Sequence, residues 1–188
     1  FVWNEGPVGA MSGGGGQSIL ASTRPWYQQG TKRFRSYGLT RLLPDVSALA
    51  DLLPGYSVYC TAAGSGGCTT ESMPKGGWQS VGGTSAAAPL VASMLTLVSQ
   101  RLARSNRKPL GLVNPLLYRL GRSKARRSVF RDVVAGDNDV GPAIPKAVGG
   151  GTRLGCCYTK PGFDLASGWG SIKTMGLVKA ALRTARRR

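Results

Sequence analysis

The sequence predicts an α/β domain. Three observations carry that expectation: a long apolar helical run at residues 86–103, two short strand-like segments at 57–60 and 76–81 just ahead of it, and further short helical segments behind it. At 188 residues the chain is about one domain long. A chain of this size can bury roughly 70% of its unfolded surface. Its hydrophobic content of 41% supplies the side chains to do so, which excludes disorder throughout.

Taken in order, Phe1-Val2-Trp3 reads as strand interior, with no initiator Met and no signal peptide. The chain is therefore expected to be a C-terminal piece of a longer polypeptide, or a processed subunit. Residues 4–17 are glycine-rich and include Gly13-Gly14-Gly15-Gly16. Such a run lets backbone lie close to something, or makes a flexible turn. No Gly-Lys-Ser/Thr follows, so the phosphate-loop reading fails. Trp26-Tyr27 and Tyr37 sit among Arg24, Lys32, Arg33, Arg35 and Arg41. That interleaving suits single-stranded nucleic acid, although a solvated basic loop is the commoner explanation. Residues 46–53 are apolar, with Asp45 at the edge and Asp51 within. Residues 57–60 and 76–81 read as short strands.

The strongest helix follows, at residues 86–103. Pro89 is tolerated only in a first turn, which places the start close to Ser85. The run is apolar nearly all round and is expected to be buried. Arg101 and Arg104 carry the sign that suits a helix C-terminus. Asn114-Pro115 is a cap followed by a first-turn proline, opening a short helix to about Leu120. Residues 119–131 are basic and expected at the surface. Gly149-Gly150-Gly151 is a turn, and a last helix at 172–183 frays into the arginines of 186–188. Polar residues and proline interrupt every apolar run before the ~18 residues of a spanning helix.

Charge narrows the chemistry. Lys and Arg number 25 against 8 Asp and Glu, giving +17. The 60 residues from 72 to 131 hold eleven bases and no acid. This favours anionic partners, either nucleic acid or an acidic surface, yet no helix-turn-helix, zinc-finger or RNA-binding signature accompanies it. The chain has no His at all, which excludes imidazole metal sites and any Ser-His or Cys-His couple within it. The four cysteines lack zinc spacing. Cys60 and Cys68 would close a short loop as a disulfide in an oxidising compartment. Neighbouring cysteines seldom bond to each other without strain, so Cys156 and Cys157 are expected to seek distant partners.

The chemistry concentrates at Gly83-Thr84-Ser85-Ala86-Ala87-Ala88-Pro89. A serine in the first turn of an apolar helix has its own N–H unsatisfied. That N–H and the helix dipole can stabilise an oxyanion. A plain serine N-cap is the bland alternative. The full string resembles the nucleophile motif of the subtilisin-like fold, Gly-Thr-Ser-x-x-x-Pro. Within that fold the chain resembles the sedolisins, the serine-carboxyl peptidases that include tripeptidyl peptidases, which use Glu rather than His as base. Trp3-Asn4-Glu5 with Ser12-Gly13-Gly14-Gly15 and Pro25-Trp26-Tyr27-Gln28 resembles the segment ahead of the nucleophile in that family. Leu43-Pro44-Asp45-Val46-Ser47-Ala48 resembles its Pro-Asp-Val-Ala/Ser-Ala element. Residues 131–138 resemble its Asp-Ile/Val-Thr-x-Gly-Asn/Asp stretch, and residues 161–170 its Pro-Gly-Trp-Asp-x-x-Thr-Gly-Trp/Leu-Gly ending.

The resemblance implies a mostly parallel sheet flanked by helices, of which residues 1–188 are the C-terminal portion. It assigns a nucleophile segment to residues 76–104, with Ser85 catalytic, and a calcium-site segment to residues 130–170. The implied function is peptide-bond hydrolysis through an acyl-enzyme on Ser85, best at acid pH, in a secreted protein or a lysosome-like acidic compartment. The Ca2+ ligands implied are the carboxylates of Asp132 and Asp164 with the carbonyls of Val133, Lys160 and Gly162. That donor set suits calcium, which takes six or more oxygens. Two rivals remain open, since Asp137 and Asp139 carry nearby carboxylates and such turns form without any ion. Lys160 stands where the family often has Gly. The family's Glu-x-x-x-Asp pair and its oxyanion Asp have no counterpart here, since Asp45 belongs to a different motif. They are expected upstream, in the same polypeptide or a companion chain, and this chain alone is expected to be inactive or nearly so. A non-catalytic homologue and a basic protein that binds nucleic acid or an anionic surface stand as the alternatives.

Overall fold

The structure is a computed structural model that describes residues 1–6, 11–30, 32–62, 68–69, 73–155 and 157–185. Its strands are β1 (Gly16–Gln17), β2 (Leu42–Leu43), β3 (Tyr56–Cys60), β4 (Gly77–Val81), β5 (Phe130–Arg131) and β6 (Ser171–Ile172). Its helices are α1 (Lys32–Arg35), α2 (Thr84–Arg104), α3 (Asn114–Gly121), α4 (Arg126–Val129) and α5 (Thr174–Thr184). Short 3-10 turns occur at Trp26–Gln28, Gly141–Ala143 and Lys146–Val148. Glu71, Cys156 and residues 186–188 lie outside the described residues.

The named strands form three antiparallel pairs, β1 with β2, β3 with β4, and β5 with β6. One parallel bridge joins Ser47 to Ser171, beside a hydrogen bond of 3.1 Å from the Ser47 N–H to the Gly170 carbonyl. The expected parallel sheet is represented among the described residues by that bridge. Local pattern reveals a strand but not the direction of its neighbour, because parallel pairing joins segments far apart in sequence. β3 and β4 occupy nearly the segments expected, with Tyr59 opposite Trp78 in register. Cys60 and Cys68 form the anticipated disulfide, with their Cα atoms 5.8 Å apart. Cys157 is buried.

The core lies between α2, α3 and α5, with Phe34 of α1 and the loop around Phe163 packed into it. Phe34, Tyr118, Phe163 and Trp169 form an aromatic cluster, with Phe34 and Phe163 edge-to-face at 4.7 Å between ring centres. Such tilted contacts place the positive ring edge on a negative face. Val98, Leu102, Leu177 and Ala181 close the cluster on the helical side. The glycine run serves as a close approach rather than a loose turn. A side chain at Gly15 would run into the Leu165 carbonyl, so only glycine lets these two backbones meet there.

Four expectations need correction. The long helix starts at Thr84, so Pro89 lies in its second turn rather than its first. There it removes the N–H that would have bonded the Ser85 carbonyl. The same helix is not buried all round, since only Val98 and Leu102 are buried along it and Leu97 is 58% exposed. By length and composition it is also the one helix among the described residues apolar enough to cross a membrane. Asn114 does not cap α3, because Val113 holds that position and the Asn114 amide turns instead to Asp45 at 2.9 Å. The last helix starts at Thr174, and Ile172 belongs to β6.

Candidate active site

Ser85 sits where strand gives way to helix. β4 ends at Val81, and Gly82-Gly83 turn the chain into α2. Gly83 has φ +85, a left-handed conformation that favours glycine. Its N–H donates to the Ala50 carbonyl at 2.6 Å. A side chain on Gly82 would come within 2.8 Å of that carbonyl oxygen. The turn is thus pinned against the segment that follows Asp45. The Ala86 and Ala87 N–H groups both reach the Gly83 carbonyl. Those of Thr84 and Ser85 are the orphan donors of the first turn. The Ser85 side chain is exposed and makes no hydrogen bond among the described residues.

A mainly apolar cavity of about 640 Å³ opens beside this turn. Thr84, Ala87, Ala88 and Val91 supply one wall, and Val46, Ala48 and Leu49 another. These α2 positions share one face, spaced by three and four residues. Ser85 is not on that face and does not line the cavity. The buried hydroxyl of Ser47, which does, has no hydrogen-bond partner.

Asp45 anchors the segment behind the turn, a role that sequence reasoning missed. Its carboxylate pairs with Arg41 at 2.5 Å and accepts hydrogen bonds from Tyr118 Oη at 2.8 Å and Asn114 Nδ2 at 2.9 Å. Gln28, fully buried, donates to Tyr118 Oη at 2.6 Å and brackets the Leu42 backbone with two more bonds. Burial, followed by the nearby Asp45 charge, pushes the Tyr118 hydroxyl far above its ordinary pKa, so it stays a neutral donor. The partners lie far apart in sequence, and the position of Asp45 just after Pro44 was the one local signal.

Two of the expected calcium ligands, Asp132 and Asp164, bond backbone amides of the 160–164 loop, while Val133 lines the apolar cavity. Asp132 Oδ2 accepts the Gly162 N–H at 2.7 Å, and Asp164 Oδ2 accepts the Lys160 N–H at 3.0 Å. Asp164 is fully buried and also receives the N–H groups of Ala166 and Ser167. Burial lifts its pKa above the ordinary range against the lowering pull of those donors. Asp132 Oδ1 is buried and has no hydrogen-bond partner, so this carboxylate has a free acceptor facing away from solvent. Among the described residues no cluster of three or more His, Cys, Asp or Glu occurs. A dication here would depend on backbone carbonyls, as the expected set supposes. Lys160 needs no glycine-like backbone, because Asn106 is the only described non-glycine residue with positive φ.

Asp137 and Asp139 are occupied otherwise. Asp139 accepts the N–H groups of Gly141 at 3.0 Å and Gly155 at 3.1 Å, and Asp137 accepts that of Asp139 at 3.0 Å. These bonds organise a turn around the two carboxylates. The basic and aromatic segment at 24–41 is likewise partly spent inside the fold. Arg24 donates to the Phe34, Gly38 and Thr40 carbonyls, and Arg41 to Asp45 and Tyr27. The single-stranded nucleic-acid reading loses two of its cations there.

Residues 23–112 match a family model described as Peptidase_S8, Subtilase family. Kumamolisin from Bacillus sp. (strain MN-32) is 33% identical over 192 residues, covering 98% of this chain and 28% of kumamolisin. Tripeptidyl-peptidase 1 from Homo sapiens is 30% identical over 196 residues, covering 97% of this chain and 29% of the relative. A solved structure of Pseudomonas sedolisin (serine-carboxyl proteinase), complexed with two molecules of pseudo-iodotyrostatin, superposes with a TM-score of 0.69 at 25% identity. That match covers 97% of this chain and 41% of the sedolisin chain. This chain therefore spans less than a third of these two curated relatives and less than half of the solved one. Over nearly its whole length the chain is thus similar to sedolisin-family, tripeptidyl-peptidase-like proteins and shares their subtilisin-like fold.

Proposed function

We propose that this chain carries the nucleophile of a serine-type peptidase. The observation that supports it best is Ser85 itself, exposed on the first turn of α2 with its own N–H unclaimed. Ser85 Oγ attacks the carbonyl carbon of the scissile peptide bond and gives its proton to a carboxylate base. The tetrahedral oxyanion is met by first-turn N–H groups and the positive end of the α2 dipole. Collapse of that intermediate breaks the C–N bond. The base hands the proton to the leaving amine and leaves an ester on Ser85. Water, deprotonated by the same base, then cleaves the ester and frees Ser85.

We place the base outside the described residues. Each of the seven described acids already accepts a hydrogen bond from a backbone N–H or a side chain. The Glu/Asp base pair and the oxyanion Asp belong to the upstream part of the same polypeptide or to a companion chain, of which this chain is the C-terminal portion. The largely exposed α2 supports that reading, because it is the surface such a part would cover. Asp132, Asp164 and the carbonyls of Val133, Lys160 and Gly162 would hold a calcium ion, and the free buried oxygen of Asp132 supports the fit. Bound there, the ion would tie residues 132–133 to the 160–164 loop. The setting proposed is extracellular or a lysosome-like acidic compartment, supported by the Cys60–Cys68 disulfide.

The test is Ser85→Ala in the intact polypeptide, assayed at acid pH on a peptide substrate. Hydrolysis should fall by at least about three orders of magnitude with the fold intact. An unchanged rate would remove Ser85 from the mechanism.

A further inference from the structure

On the side of the core where α3 begins, a cleft of about 370 Å³ is lined by Trp26, Leu112, Pro115, Leu116, Arg119 and Arg122, with Tyr27 behind them. This is within the size range of ligand pockets. A second cavity of about 270 Å³ adjoins it, sharing Leu116 and Arg119 and adding Lys108 to the rim. Sharing that wall, the two form a groove lined mainly by apolar side chains, whose charged lining residues, Lys108, Arg119 and Arg122, are all basic. Trp26 is 69% and Leu112 68% exposed, large apolar surfaces with nothing on them.

The two guanidinium groups differ in a useful way. Arg122 is held in place. It donates to the Tyr27 carbonyl at 2.6 Å and lies over the Phe34 and Tyr118 rings at 5.3 and 5.8 Å. Such stacking fixes the plane of the guanidinium while its remaining N–H donors stay available. Arg119 is exposed and makes no hydrogen bond or ion pair among the described residues. No acid lines either cavity, and every described acid is already accepting a hydrogen bond elsewhere. The positive charge of this groove is thus unanswered among the described residues.

We propose that the groove is a docking site for an acidic peptide segment, seating an apolar side chain between Trp26 and Leu116 and pairing flanking carboxylates with Arg119 and Arg122. A single-stranded nucleic acid fits less well. Its bases need a succession of stacking faces. Here the Trp26 ring is the one open face, because the Tyr27 ring is covered by Tyr118 and by the Arg41 guanidinium. A carboxylate matches the planar guanidinium fork, and an indole on a rim of arginines is the composition of an interface anchor.

The site is independent of Ser85, so its test reads binding alone. Fluorescence anisotropy of a fluorescein-labelled hexapeptide, Glu-Glu-Leu-Phe-Glu-Glu, would be followed with the Ser85→Ala protein at about 0.15 M ionic strength. Saturable binding is expected, weakened roughly tenfold by Arg119→Glu and by Trp26→Ala. Both residues are exposed, and circular dichroism confirms that the variants fold. Lys75→Glu makes the same charge change at an exposed position outside the groove and should leave affinity unaltered. The Gln-Gln-Leu-Phe-Gln-Gln probe should not bind. The proposal is overturned if either groove variant binds as the parent does, or if Lys75→Glu weakens binding equally. It is also overturned if a labelled thymidine hexanucleotide binds as tightly with the same dependence on Trp26 and Arg119.

Discussion

Asp45 shows how much one carboxylate settles. Three side chains converge on it within 2.9 Å, from Arg41, Asn114 and Tyr118, and its own backbone carbonyl accepts the Trp169 N–H at 3.0 Å. The segment it begins ends at Ala50, whose carbonyl holds Gly83 two residues before Ser85. Replacing Asp45 with Asn keeps the shape, removes the charge and swaps one acceptor for a donor. Arg41 then loses its counter-ion, and either Asn114 or Tyr118 faces an N–H instead of an oxygen. The pair is partly covered, with side chains 22% and 17% exposed, so the cost should fall below that of a sealed ion pair. Asp45→Asn should destabilise by about 2–3 kcal/mol. The readout is a lower urea midpoint at unchanged slope. A loss under about 0.5 kcal/mol would reduce this cluster to ordinary surface pairing.

At the scale of elements, what the sequence revealed was local. β3, β4 and the turn into α2 were legible because alternation, glycine pairs and an apolar run are all read within a dozen residues. The place of Ser85 in the first turn of α2 was legible for the same reason. Asn114 was misread because a residue far off in sequence, Asp45, claims its amide. The parallel contact at Ser47 and the orphan oxygen of Asp132 depend equally on distant partners. α2 is the instructive case. Its apolar run forecasts dry surroundings but not which residues supply them. Val91, Met94, Leu95, Val98 and Leu102 pack toward the core, while Leu97 points elsewhere and stays exposed. If the upstream part of the polypeptide covers that face, Leu97→Glu has opposite effects in two settings. In this chain alone it should be neutral and improve solubility. In the intact polypeptide it should cost about 2–4 kcal/mol, because it buries an unpaired charge. Thermal melts of both forms make the comparison. Equal, negligible effects would show the face to be open to water in each.

For the molecule as a whole, charge is distributed by function. A chain with +17 holds eight acids, and those described are all engaged in turns, anchors and loop contacts. Two of them, Asp132 and Asp164, converge on the 160–164 loop from opposite ends of the calcium segment. Arg126 lies 3.9 Å from Asp132, yet the arrangement stays costly, since burial lifts the Asp164 pKa and one Asp132 oxygen has no donor. A divalent cation would favour the ionised form of Asp164 and give the Asp132 oxygen a partner. Ligand binding to the folded state alone adds about 2.7 kcal/mol at a hundredfold excess over Kd. For a chain of this size that raises the melting temperature by about 5–10 °C. Calcium added to metal-free protein should produce such a rise, and a chelator should reverse it. Asp132→Asn should melt at the same temperature with calcium as with chelator, because its side chain can no longer offer a second anionic oxygen. If the parent protein melts identically in calcium and in chelator, the two carboxylates hold this loop through the Gly162 and Lys160 amides alone, and no ion belongs there.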